Sequence, residues 1–364
     1  VNVEEIKEED KDTINQNFEN NTGNYIGSNN VYCNIPEFIL ENQQDYIKSL
    51  KEKIKTLKDE VESAGLTLEV IESVNIHDDI KIGLPSRDQY IENYKQTIRN
   101  LSEIGVKVIC YNFMPIFDWL KTDLHFQLPD GSYTMKYEKA GIEKTPQEMV
   151  NEVLNKSNGV VLPGWEPERL AHVMELFEAY KDVNEEKLRE NFKYFMSAII
   201  DTCQECDVKM AIHPDDPPYS VFGLPRIVKN REDLDWLMTS VDNPYNGITF
   251  CTGSIGEDPA NDVVAIVGEF AKRDRIPFAH IRNIKFLNQT DHFEAPHLSS
   301  EGSLDMHAVV KALYDNGFDG YIRPDHGRMI WGEEGRPGYG LYDRAIGASY
   351  LQGLWEAIVK QGKD

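Results

Sequence analysis

The sequence predicts an α/β fold, a (β/α)8 barrel of the TIM type with an inserted loop region after the third strand and an atypical N-terminal segment. Three observations point to it. Short apolar strands alternate with amphipathic helices from residue 45 to the C-terminus, the pattern of parallel β/α units. The chain has 364 residues, an ordinary length for a single barrel of this kind. No GxGxxG follows a strand, so the rival doubly wound sheet lacks the turn that a dinucleotide needs.

The elements follow in order. Residues 1–30 are rich in Asn, Glu and Asp, show little periodicity, and read as an irregular arm before a single barrel domain over 31–364. Ile47, Leu50, Ile54, Leu57 and Val61 recur at helical spacing over 45–65, with Gly65 as the stop. "LTLEVIES" (66–73) reads as a strand, 86–105 as a helix capped by Ser86, and "VKVICYNF" (106–113) as the next strand. Residues 114–144 read as a long loop. "TPQE" (145–148) opens a long helical region with Thr at the cap, Pro at the first helical position and Glu at the third, and "VNEE" interrupts it before Asp207. The alternation then continues through the strands "KMAIHP", "GITFCTGS", "IPFAHIRN" and "DGYIRPDH", with a C-terminal helix from 341. Six strands can be named. A closed barrel needs eight, and the other two are expected near 24–35 and 284–290.

Composition narrows the partners. The formal net charge is −24, which argues against nucleic acid or an anionic membrane surface, since phosphate binding needs clustered Lys and Arg. At 40% hydrophobic residues the chain can fill a large core. Five cysteines, an odd and sparse set, do not form a disulfide framework. No apolar run is long enough for a bilayer, and "VNVEEIKEEDKD" is unlike a secretory signal, so a reducing cytoplasm is expected. A homo-oligomer, taken as a dimer, is also expected.

The chemistry lies at the strand exits. His213 follows "MAI", Cys251 follows "ITF", His280 follows "PFA" and Asp325 follows "YIRP". In a parallel barrel every strand C-terminus opens on the face that carries the active site. Taken singly, a strand-end His is more often structural, a Cys is usually a small buried hydrophobe, and an Asp often serves a turn. Four ligand-type side chains at four exits point instead to a divalent metal site. His77 and Asn112 follow two earlier strands and are candidates for the same mouth. "CQEC" (203–206) has no second pair and reads as a helix end, His172 and His307 as helix-surface or packing residues, and "HFEAPH" (292–297) as an ordinary loop.

The stretches "IESVNIHDDIK", "RDQYIENYKQTIRNL", "CYNFMPIFDW", "HPDDPP", "FCTGS", "HIRNIK" and "RPDHGR…GRPGYG" closely resemble the mannonate dehydratase family, from residue 66 to the C-terminus. The resemblance implies a xylose-isomerase-like TIM barrel. It implies conversion of D-mannonate to 2-dehydro-3-deoxy-D-gluconate and water in hexuronate (glucuronate) catabolism, with Mn²⁺ or Fe²⁺. It puts the metal ligands on His213, Cys251, His280 and Asp325, the catalytic His on His326, and the catalytic Tyr on Tyr339, with Tyr342 as the neighbouring alternative. The family's opening strand with its "RWYG"-like segment has no counterpart in residues 1–60, where "NYIGSNNVYCNIPEF" stands in its place.

Dehydration removes the C2 hydrogen and the C3 hydroxyl, so it needs charge stabilisation on the carboxylate and a proton for the leaving hydroxide. His326 and Tyr339 are expected to act as a coupled pair, Tyr339 as base with its pKa lowered by a nearby metal or His, and His326 tuning it. Asp325 and His326 are adjacent, so the chain is expected to turn at Pro324 for both to serve one pocket. Arg282 and Arg328 offer planar forks for the substrate carboxylate or polyol. The ligand types alone favour Fe²⁺ or Zn²⁺, and the resemblance favours Mn²⁺. Two other readings stay open: a metal-dependent sugar isomerase or epimerase on the same barrel, and a non-catalytic sugar-acid-binding protein.

Overall fold

The computed structural model describes residues 53–142 and 167–362, together with 26–27, 30–31 and 148. Strands β1 (Ile26–Gly27) and β2 (Asn30–Val31) form a short antiparallel pair. The described part of 24–35 is therefore not the barrel strand expected there, and the rest of the N-terminal arm lies outside the described residues. So do Ile47 and Leu50; the helix they were expected to begin is described over 53–63 and turns at Gly65, with φ +77°.

All six predicted strands are present. They are β3 (Val70–Glu72), β4 (Val108–Tyr111), then β7 (Lys209–Ile212), β8 (Asn246–Cys251), β9 (Phe278–His280) and β12 (Tyr321–Arg323). They pair in parallel in the order β3–β4–β7–β8–β9–β12, each next to its neighbour in the β/α sequence. Helices cover them, as a parallel sheet requires, and β4, β8 and β9 are buried along their whole length. Glu72 on one edge strand pairs with Arg323 on the other, so the sheet curls until its edges face each other, as in a TIM-type barrel. The six strand ends thus open on one mouth.

Local sequence explains most helix starts. Asn184, Asn230, Asp262 and Asp305 each accept a backbone N–H of the first turn that follows. "VNEE" interrupts the long helical region as expected, because Asn184 ends one helix connection and caps Glu185–Cys206. "CQEC" is the end of that helix, closed by Asp207 at φ +51°. Ser86 departs from expectation: its hydroxyl donates to Asp79 Oδ2 at 2.5 Å and makes no capping bond. "TPQE" lies outside the described residues except for Glu148.

The main departure is a second sheet. Residues 114–144, expected as a loop, contain β5 (Asp123–Gln127) and β6 (Tyr133–Tyr137). β10 (Asn283–Phe286) and β11 (His292–Ala295) come from the segment after β9. The four form one antiparallel sheet in the order β10–β11–β6–β5. Hence 284–290 does not supply a barrel strand, and "HFEAPH" is not an ordinary loop. The accessory sheet stands over the barrel mouth, where Tyr133 and Met329 exchange backbone hydrogen bonds of 3.0 and 2.8 Å. Among the described residues no helix is long and apolar enough to cross a membrane, and the four described cysteines are free thiols.

Candidate active site

The parallel sheet brings the expected strand-end residues together. One ligand atom each from His213, Cys251 and His280 lie within 4.8 Å of one another. Asp325 joins them, its Oδ2 3.8 Å from Cys251 Sγ and its Oδ1 3.4 Å from His280 Nδ1. His213 Nδ1 lies 2.7 Å from the Pro214 carbonyl, which leaves Nε2 for the cluster. Cys251 ends β8 and caps the helix that follows, its sulfur accepting from Ser254 N at 3.5 Å.

Asp325 reaches the cluster through a turn at its own backbone. Its φ is +63°, an uncommon conformation that Asp tolerates better than bulkier residues. The reversal therefore falls at Asp325 and not at Pro324 as expected. Pro324 is held from behind, because His297 Nε2 lies 2.6 Å from its carbonyl oxygen. Burial lowers the pKa of His297, which suits a neutral ring donating to a carbonyl.

The donor set fits a divalent cation. His280 is fully buried, and neither of its ring nitrogens makes a hydrogen bond of good geometry, an exception that a bound ion would explain. Two imidazoles, a thiol and a carboxylate are competent ligands for borderline ions. Glu72 Oε2 lies 3.2 Å from His280 Nε2, the place of a carboxylate that orients a ligating imidazole. Burial works against the charged forms of Asp325 and His280. For Asp325, His326 and His280 more than offset this and hold it well below the carboxylate range. For His280, Asp325 and Glu72 do so and raise its pKa.

Beside the cluster stand His326 and Tyr339, with ring centroids 5.5 Å apart. The glycine-rich loop folds back on itself, and Gly327 N donates to Gly338 O at 2.9 Å. Gly340 is required there: a Cβ on it would lie 1.9 Å from the Arg328 carbonyl oxygen. Burial opposes the charged form of His326, but Asp325 and Glu294 outweigh it and raise its pKa. Burial and then Asp325 push the Tyr339 phenol up, opposite to the lowering expected. Tyr342 points elsewhere. It is 49% exposed and packs on Trp331 with centroids 5.7 Å apart.

The four residues expected to touch substrate are engaged within the protein. Arg282, only 2% exposed, reaches Asp216 at 2.6 Å, Asp325 at 3.0 Å and Glu294 at 3.3 Å. Arg328 holds Asp343 and Asp130, both at 3.0 Å, and so ties the loop to the last helix and the accessory hairpin. His77 caps the helix Asp78–Ile82 through Asp79 N and stacks on Tyr90. Asn112 shapes its own turn, donating to Asp118 at 2.8 Å and accepting from Met114 N at 3.1 Å.

Three buried residues escaped the sequence reading. Lys121 lies between Asp216 at 2.6 Å and Glu257 at 2.7 Å. His292 Nε2 faces Glu257 at 3.2 Å, and Glu294 faces His326 Nδ1 at 2.7 Å. His292 and Glu294 are two apart, so strand alternation puts them on one face, the only signal that could have found them.

Comparison with known proteins identifies the family. A family model described as D-mannonate dehydratase (UxuA) matches residues 9–364. The mannonate dehydratase of Lactococcus lactis subsp. cremoris (strain MG1363) is 69% identical over 312 residues, covering 85% of this chain and 87% of that protein. That of Thermotoga maritima is 60% identical over 313 residues, covering 86% and 87%. The crystal structure of mannonate dehydratase from Streptococcus suis serotype 2 superposes with a TM-score of 0.76 at 46% identity, over 86% of this chain and 84% of that one. A match along nearly the whole sequence, with the same fold, means that this chain belongs to the D-mannonate dehydratase family.

Proposed function

We propose that the protein converts D-mannonate to 2-dehydro-3-deoxy-D-gluconate and water, within hexuronate breakdown in the cytoplasm. The observation that carries this reading is the convergence of His213, Cys251, His280 and Asp325 beside His326 and Tyr339. The first four would hold Mn²⁺ or Fe²⁺, which when bound supplies Lewis acidity for the charge that builds on the substrate carboxylate.

The remaining steps fall to side chains. His326 and Tyr339 share the proton transfers: one takes the proton from C2 and the other gives a proton to the C3 hydroxyl, which leaves as water. The electron pair of the broken C2–H bond becomes the C2–C3 double bond of an enol. Reprotonation at C3 then gives the 2-keto-3-deoxy acid, so that the only losses are one hydrogen and one hydroxyl. Arg282 supports the site from beneath by orienting Asp325, and Arg328 does so by anchoring the loop that carries Tyr339.

Product analysis tests the reaction. Incubation of D-mannonate with Mn²⁺-loaded protein is expected to yield a 2-keto-3-deoxy acid. A product that keeps the C3 hydroxyl would favour an isomerase or epimerase. Tight binding of D-mannonate without any product would favour a binding protein.

A further inference from the structure

The accessory sheet delivers a carboxylate to the site. β11 carries Glu294, which is buried, with Oε1 2.7 Å from His326 Nδ1. Its backbone is fixed on two sides, by pairing with Ile284 on β10 and by Thr134 Oγ1, which donates to its carbonyl at 2.7 Å. Its carboxylate is fixed by Arg282 Nη1, 3.3 Å from the same Oε1. That guanidinium also reaches Asp325 Oδ2 through Nε at 3.0 Å and Asp216 Oδ2 through Nη2 at 2.6 Å. Gly253 leaves room for it: a Cβ there would lie 2.4 Å from the guanidinium carbon.

An imidazole presents one nitrogen reliably only when the other is held. A carboxylate on the Nδ1 side keeps the proton at Nδ1 and turns Nε2 the other way. Here Nε2 faces the metal-ligand cluster, 4.0 Å from Asp325 Oδ1. We propose that Glu294 is a positioning residue for the dehydration, holding the Nδ1 proton of His326 so that Nε2 faces the substrate. Arg282 ties that setting to Asp325, so the acid–base group and a candidate metal ligand share one rigid support. The inference rests on the reading of His326 as half of the acid–base pair. The nearest parallel is the carboxylate behind the histidine of serine proteases, whose neutralisation costs about 10⁴ in kcat.

The test compares Glu294→Ala, Glu294→Gln and Glu294→Asp with the parent, all loaded with Mn²⁺ and assayed on D-mannonate. Glu294→Ala and Glu294→Gln are expected to lower kcat by about 10²- to 10⁴-fold. KM is expected to move less than about threefold, because substrate binding is not the function lost. Bound Mn²⁺ per chain is expected to match the parent, and Glu294→Asp to restore part of kcat. Nitrogen NMR of histidine-labelled, metal-free protein is expected to show His326 Nδ1 protonated in the parent and that proton lost or redistributed in Glu294→Gln. Near-parental kcat in Glu294→Gln, or a fall that tracks loss of bound Mn²⁺ or a rise in KM, would overturn the proposal. If Glu294→Ala does not fold, the near-isosteric Gln and the charged Asp decide the matter. A parent that forms no product overturns the reaction reading itself, whereas an active parent with an unaffected Glu294→Gln overturns only the role of Glu294.

Discussion

Cys251 Sγ lies 3.8 Å from Asp325 Oδ2, although Cys251 ends β8 and Asp325 follows β12, with β9 between the two strands. A thiol and a carboxylate so close favour a bound cation that both can ligate. Cys251→Ser is expected to weaken Mn²⁺ binding by more than the 10- to 100-fold typical of losing an outer partner of a ligand. It is also expected to weaken Fe²⁺ and Zn²⁺ more than Mn²⁺, because thiolate suits the softer ions. Metal titration of the chelator-stripped variant reads both effects, and unchanged affinity for all three ions would remove Cys251 from the ligand set.

The buried ion pairs beneath the site set a pH dependence of stability. Burial alone would raise the Asp216 pKa, but Lys121 and Arg282 hold it well below its ordinary value of 3.8. A group whose pKa is depressed by folding stabilises fully above its unfolded pKa and loses that contribution progressively as pH falls from there through its folded pKa. Urea unfolding is therefore expected to show stability falling between about pH 5 and 3. Lys121→Met, which removes the lysine shared by Asp216 and Glu257 and leaves Arg282 against both, is expected to cost about 3–5 kcal/mol at neutral pH and to flatten that acid slope. A parent whose stability is level across the range would contradict this.

Gly340 approaches the Arg328 carbonyl too closely for any side chain. Gly340→Ala must move the returning arm of the loop, which carries Tyr339. A shift of roughly 1 Å at a reacting group can cost about 10²-fold in rate. We expect kcat to fall on that order while bound Mn²⁺ stays at the parental level. Parental kcat would mean that the loop position does not set the chemistry.

Two tyrosines compete for one role by sequence, and their surroundings separate them. Tyr339→Phe is expected to reduce kcat by at least about 10²-fold, the usual scale for losing an acid–base group. Tyr342→Phe, at a half-exposed helix position, is expected to keep near-parental turnover. The reverse pattern would move the role to Tyr342.

The barrel strands are legible in the sequence because parallel strands are buried on both faces and read as short apolar runs. The candidate ligand set is legible with them, since each run ends on or is soon followed by a ligand-type side chain. The accessory sheet is not. β5 and β6 mix polar and apolar residues, and β6 finds its partner β11 far along the chain, where no local pattern marks the pairing. Glu294 was hidden with it. Arg282 and Arg328 were read as guanidinium partners for the substrate, and in the structure both pair with the protein's own carboxylates.

The most direct measurement is D-mannonate dehydration by chelator-stripped protein to which Mn²⁺, Fe²⁺, Mg²⁺ and Zn²⁺ are restored separately. The stripped protein is expected to be inactive, with Mn²⁺ or Fe²⁺ restoring formation of the 2-keto-3-deoxy acid. Full activity without metal, or no product with any of the four, would contradict a metal-dependent dehydratase built on His213, Cys251, His280 and Asp325.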